Sequence, residues 1–392
     1  MADFKAASLR GALIAAAVLA AGPAFAQTPL RVGWNSELSG PWTFFGNACL
    51  DAARLAEGEV NAGKKIIELV VQDNQTNPAQ AAAVSRALDT QEKVTMLSGP
   101  TNADTSLAVY GYAEENKVPF LVPVAAFPRL TRPGTTQTFR IEPDAVGWGY
   151  AAVKFLNTLK PGATIGIIMN DFAVHRAILA GLKYQAEKDG LKIVSEIVFP
   201  QSASDATVQV AQIRAKKPDY VIVAGGSAFD VTLTNQLLDV GFKPDQLYHP
   251  YGSTKQVLSW GPRSVGSYFG TFFDHNLETL TDTGKKFVEN FRKAKGYAPG
   301  YVENYCYSTL YLLKEIVEKG ATTRDAIRSA LSAINTKEIT TGIPIVFDKN
   351  GARMEYMYLQ QIKEVSKDDF KASKINYIEW SPEVLPVYDL AP

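Results

Sequence analysis

Histidine and cysteine are scarce in this chain of 392 residues, which has three of the first and two of the second. The histidines, His175, His249 and His275, are scattered and show no metal-ligand spacing. No G-x-S-x-G, H-E-x-x-H, G-x-G-x-x-G or P-loop pattern occurs, and the Gly pair and serine of "AGGSAFD" lack a nucleophile elbow. These absences argue against a hydrolase or other enzyme, so no cofactor and no metal are expected. An excess of one charge is also missing, because 40 Lys+Arg face 40 Asp+Glu. Without a basic stripe or a polybasic segment, neither nucleic acid nor a membrane surface is an expected partner. Beyond residue 26 no apolar run is long enough to cross a bilayer, so the protein is not expected to span a membrane.

What is present begins with a targeting pattern. Lys5 and Arg10 precede an apolar run over 11–22, and Ala24-Phe25-Ala26 closes it. A charged start, a short apolar centre and an A-x-A ending predict a secretory signal peptide over 1–26. No cysteine follows the cleavage site, which argues against a lipid anchor, and the mature chain would begin at Gln27 outside the cytoplasm. At 46% hydrophobic with mixed charge, that chain is globular and long enough for two lobes. Cys49 and Cys306 could pair in an oxidising compartment, but they are far apart within two apparent helices. The reading favoured here is two buried small apolar side chains.

The pattern alternates strand and helix. Strands are predicted at 30–34 and 66–72, in "VTMLSGP" and in "VPFLVPV", with helices at 46–62, 78–91 and 106–115. The order then restarts with "TIGIIMN", "KIVSEIVFP" and "YVIVAGG" as strands between helical stretches. The fold class expected is α/β, with two doubly wound parallel-sheet lobes. In such sheets ligands bind beyond the carboxyl ends of the strands. The loops to search are "NSELSGPWTFFG", "SGPTNADTS", "VPVAAFPRLT", "NDFAVHRA", "AGGSAFD" and "HPYGSTK", three from each half. Trp42, Phe44 and Phe45 are thereby expected in a loop at the mouth of a cleft; the alternative is that they cap the core.

The motifs "SGPWTFFG", "VVQDNQTNPAQAAAVSRAL", "LSGPTNADTS", "PDYVIVAGG" and "ENYCYSTLYLLKEIVEKG" follow one another in an order that resembles a known family. It is that of type I periplasmic solute-binding proteins of ABC importers, the Leu/Ile/Val-binding family, and the likeness spans roughly residues 29–365. The resemblance implies two lobes joined by three crossovers that close on a small solute. The first lobe would comprise 29–143 and 273–341, and the second 144–272 and 342–365. Residues 366–392 would form a surface tail. The partners implied are a small carboxylate ligand and a membrane permease, the location periplasmic and the protein a monomer.

Carried over position by position, the family's site falls on Phe45 as a ring over the ligand side chain. Asn102 and Ala103 would hold a ligand carboxylate; Ala103 replaces the usual serine, so only its backbone donor remains. Val124, Ala125 and Ala126 would add backbone groups, and Ala126 lacks the common threonine hydroxyl. Ser227 stands near a position often held by tyrosine. Tyr251 stands where amino-acid binders carry a glutamate, which leaves a ligand ammonium without its usual partner.

Trp42, Phe44, Phe127, Phe172 and Phe229 in the same loops make the expected cleft aromatic-rich, although ordinary packing would account for each. His175 and Arg176 could form a positive or hydrogen-bonding pole, with a surface charge as the alternative for Arg176. Asp171 and Asp230 stay open as ammonium partners. The ligand favoured is thus a small carboxylate with an aromatic body; an amino acid and a role as a sensing subunit for a membrane receptor remain alternatives.

Overall fold

The computed structural model describes residues 28–226, 228–276, 278, 280–353 and 355–380. The expected signal peptide and Ser227 lie outside the described residues. Five strands make the first sheet: β1 (Leu30–Ser36), β2 (Ile67–Asp73), β3 (Met96–Ser98), β4 (Phe120–Val122) and β5 (Thr138–Arg140). They run in the order β2-β1-β3-β4-β5, and every pair is parallel. Helices α1 (Thr43–Val60), α2 (Pro78–Thr90) and α3 (Ala103–Asn116) connect the first four strands.

After β5 the chain passes into α4 (Ala145–Leu159) and a second αβ series. This series is β6 (Thr164–Asn170), α5 (Ala173–Asp189), β7 (Lys192–Phe199), α6 (Thr207–Lys216) and β8 (Tyr220–Ala224). It continues through α7 (Ala228–Asp239), β9 (Leu247–His249), α8 (Thr254–Trp260) and β10 (Tyr268–Thr271). Strands β6 and β8 are apolar and buried along almost their whole length, as expected of a sheet covered on both faces. Gly149 of α4 brings that helix against α5: a Cβ there would lie 2.2 Å from the Ile178 carbonyl oxygen.

Three helices follow, α9 (Asp282–Lys295), α10 (Tyr301–Glu318) and α11 (Arg324–Ser332), then a short ribbon of β11 (Asn335–Lys337) and β12 (Pro344–Val346). The chain ends, as far as it is described, in the antiparallel pair β13 (Glu355–Val365) and β14 (Phe370–Trp380). This pair completes a seven-stranded sheet, β14-β13-β10-β9-β8-β6-β7. The chain therefore crosses between the sheets three times, after β5, after β10 and before β13. Among the described residues no helix is long and apolar enough to cross a membrane.

Several expectations need correction. The return to the second sheet does not follow Thr341: β12 pairs with β11, and Ala352 bridges Arg140 of the first sheet, so the crossing comes just before β13. Residues from 366 are not a tail as far as Trp380, because β14 hydrogen-bonds along β13 and the Trp380 ring fills the space beside Gly147 of α4. Phe44 and Phe45 sit in the first turn of α1 rather than in a loop. Cys49 and Cys306 form a disulfide. Their helices, α1 and α10, lie side by side with Cα atoms 5.3 Å apart, a proximity that no local pattern reveals.

Candidate functional site

A small cavity lies between loops of the two sheets. From the first sheet come Trp42 and Phe45 at the start of α1, Thr101 and Ala103 at the start of α3, and Val124 to Ala126 after β4. Val174 of α5 and Tyr251 beyond β9 come from the second series. Glu142 beyond β5, Trp148 of α4 and Tyr301 of α10 close it. A larger depression beside α10 is walled by Lys314, Glu315, Glu318 and Lys337. There Lys314 pairs with Glu318 and Lys319 with Glu315, an ordinary charged surface.

The aromatic wall is continuous. Trp42 stacks on Phe45 at 4.9 Å between ring centroids and meets Phe172 at 5.3 Å. Trp148 lies 5.5 Å from Tyr251, which in turn stacks on His175 at 5.9 Å. Gly46 explains the glycine after the two phenylalanines: a Cβ would lie 2.1 Å from the Glu37 carbonyl oxygen. Helix α1 can thus settle onto the end of β1 and bring Phe45 to the cavity.

His175 fixes the direction of the Tyr251 hydroxyl. Its Nδ1 is 2.8 Å from the carbonyl oxygen of Asn170, which only accepts, so Nδ1 carries the proton. Nε2 then accepts from the Tyr251 hydroxyl at 2.8 Å. Burial pushes His175 down to about 4, so the ring is neutral at pH 7. Burial likewise raises Tyr251 well above the usual phenol range.

Two buried carboxyls border the start of α3. Glu37 accepts from the Thr101 N–H at 3.0 Å and its hydroxyl at 2.9 Å, from the Thr105 hydroxyl, and from the Asn74 amide at 3.3 Å. Glu142 is 1% exposed; its Oε2 accepts from the Ala125 N–H at 2.6 Å, while its Oε1 has no partner among the described residues. Burial pushes the Glu142 carboxyl up to about 8, against the Ala125 hydrogen bond and the nearby Arg140 charge. Ala125 itself holds φ at 123°, a conformation that an L-residue rarely adopts, at the turn that offers this N–H. Trp42 Nε1 is also buried without a partner among the described residues.

Of the residues expected from sequence, Trp42, Phe45, Ala103, Val124, Ala125, Ala126 and Tyr251 meet at this cavity. Phe172 and His175 stand directly behind it. The others are employed elsewhere. Asn102 caps α3, accepting from the N–H groups of Asp104 and Thr105. Phe44 is packed edge-on against Phe45, Phe127 is buried before a short 3₁₀ turn, and Phe229 joins Phe199 in a separate core. Arg176 is half exposed and paired with Asp171 at 2.6 Å, and burial keeps His175 neutral, so the positive charge on this side is that of the paired Arg176. Asp230 is consumed by the Gly225 N–H at 2.7 Å and the Trp260 indole at 2.6 Å.

Thr101, Glu142, Trp148, Val174 and Tyr301 were not singled out in the sequence. Thr101 and Val174 lie inside the candidate loops "SGPTNADTS" and "NDFAVHRA". Glu142 follows a three-residue strand too short to show alternation; its signal is a carboxyl flanked by Ile141 and Pro143.

A cleft between two open α/β sheets, reached by loops at the carboxyl ends of their strands, defines a two-domain binding protein. The chain belongs to the periplasmic binding protein family, whose model matches residues 29–369. It is similar to a Leu/Ile/Val-binding protein of Rhizobium johnstonii, 22% identical over 336 residues that span 83% of this chain and 90% of that one. Among solved structures it is similar to an ABC-transporter solute-binding protein from R. palustris in complex with benzoate. That match has a TM-score of 0.79 and 18% identity, covering 91% of this chain and 99% of the other. It is also similar to the branched-chain amino acid transporter protein LivJ from Streptococcus pneumoniae in complex with isoleucine. There the TM-score is 0.76 and the identity 22%, over 90% of this chain and 99% of the other. At such identities the structural likeness establishes the shared fold, with two αβ lobes and three crossovers.

Proposed function

We propose that this protein captures a small carboxylate outside the cytoplasm and delivers it to the membrane permease of an ABC importer. The observation that carries this reading is the aromatic cavity built from both sheets, with Trp42 and Phe45 on one side and Tyr251 on the other. Contacts from both sides exist together only when the lobes are closed, so a ligand shifts the population towards that state. The moving units are the first sheet with α9 to α11 and the β11–β12 ribbon, and the second sheet with α4 to α8. The preferred ligand has an apolar, aromatic body. Its carboxylate is held by the Ala103 N–H at the start of α3 and by the indole N–H of Trp42. A second reading, an amino acid, is favoured by the name of the Leu/Ile/Val-binding relative.

A thermal-shift screen of aromatic acids and amino acids tests this, since a ligand at 100 times its Kd adds about 2.7 kcal/mol. Small-angle scattering with the best ligand should show a smaller radius of gyration. Phe45→Ala should cost about 1–3 kcal/mol of affinity by calorimetry, as for the loss of a ring anchor. An unchanged particle at saturation would overturn the closing mechanism.

A further inference from the structure

We infer that Glu142 receives a hydrogen-bond donor carried by the ligand, so that the site takes a small carboxylic acid bearing its own hydroxyl or ammonium group. The inference rests on the carboxylate-binding reading above and narrows it. Glu142 lines the cavity, is almost completely buried, and has one oxygen without a partner among the described residues. A buried polar atom left unmatched is costly, so a group that supplies its partner recovers that cost in affinity, and a donor brought by the ligand favours the ionised carboxylate that burial alone disfavours. Tyr251 reinforces the demand. Its proton is given to His175, which leaves only oxygen lone pairs for the cavity. Tyr251 and Tyr301 both lie near enough for the Glu142 charge to act on their phenols, so these groups share one region. Trp42 Nε1 supplies the complementary donor elsewhere on the wall. The cavity thus offers a donor to an anion and a pair of acceptors to a second polar group. The absence of a glutamate at position 251 does not remove the acidic partner; it moves to the crossover beyond β5.

Calorimetry on the mature chain with two ligand pairs tests this: 4-hydroxybenzoate against benzoate, and phenylalanine against 3-phenylpropanoate. In the wild type, the donor-bearing member of at least one pair should bind tenfold or more tightly than its partner. Glu142→Ala should erase that difference. In Glu142→Gln the Ala125 N–H takes the one amide oxygen, so an NH2 group replaces the free acceptor while the side-chain shape is kept. Both preferences should then be lost, and which of the two pairs shows the preference in the wild type separates hydroxyl from ammonium. Equal affinities within both pairs, or a preference untouched by Glu142→Ala, would overturn the inference. So would tighter binding of the unsubstituted acids that weakens as pH rises through about 8, which would make Glu142 a donor to the carboxylate. Binding with compaction but without preference defeats this inference alone. No binding by any of the four acids defeats the carboxylate reading beneath it. Circular dichroism checks that Glu142→Ala is folded, and the Gln variant decides the question if it is not.

Discussion

Glu37 and Glu142 are both carboxyls shut away from water at the edge of the first sheet, yet their surroundings differ in kind. Glu37 follows β1 and gathers donors from Thr101, Thr105 and Asn74, tying three loops together. Glu142 follows β5, lines the cavity and receives one backbone N–H, while its other oxygen has no partner among the described residues. Burial raises both above the usual carboxylate range, but only around Glu37 do several hydrogen bonds pull back strongly. A satisfied carboxyl holds the scaffold; a half-satisfied one waits for a partner. The backbone N–H of Thr101, placed at the start of a helix where an anion would sit, is therefore already taken by the protein's own Glu37.

The largest effect expected from breaking this contrast is on stability. Glu37→Ala leaves several buried donors unmatched and should cost about 3–4 kcal/mol in denaturant unfolding. Glu142→Gln, which keeps shape and the Ala125 contact, should cost less than about 1 kcal/mol. Equal losses would erase the distinction between the two carboxyls.

A smaller effect sharpens it through pH. The Glu142 carboxyl is raised from 4.5 to about 8 on folding, so between those values the folded state holds a proton that the unfolded chain has lost. Stability must therefore fall as pH rises through that window, with a slope of up to about 1.4 kcal/mol per pH unit from this group. The stability difference between wild type and Glu142→Gln, followed from pH 5 to 8, should show that slope. A flat difference would mean that Glu142 is solvated. The smallest effect is expected at the rim. Arg176→Ala removes an exposed pair with Asp171 and should change both stability and affinity by less than about 0.5 kcal/mol.

Much of the scaffold was legible. Long αβ alternation, apolar strands such as "TIGIIMN" and the glycine after "TFF" expose their period or their packing need within a few residues. The strand ends beyond which Trp42, Phe45, Ala103 and Tyr251 lie followed from that pattern. Roles that depend on a distant partner did not. His175 read as a positive or hydrogen-bonding group, and burial keeps it neutral, leaving the hydrogen-bonding role. That its partner is the Tyr251 hydroxyl, 76 residues later, was not legible.

By itself, then, the sequence determined the two-sheet class and the strand ends where a ligand could be met, because periodicity and turn chemistry are local properties of the chain. Only the tertiary structure decided that Cys49 bonds Cys306, that β14 joins the second sheet, and that Asp171 and Asp230 are paired while Glu142 lines the cavity with one oxygen unpartnered among the described residues. Each of those outcomes depends on which groups burial brings within a few ångströms, and on whether the rest of the fold has already satisfied them.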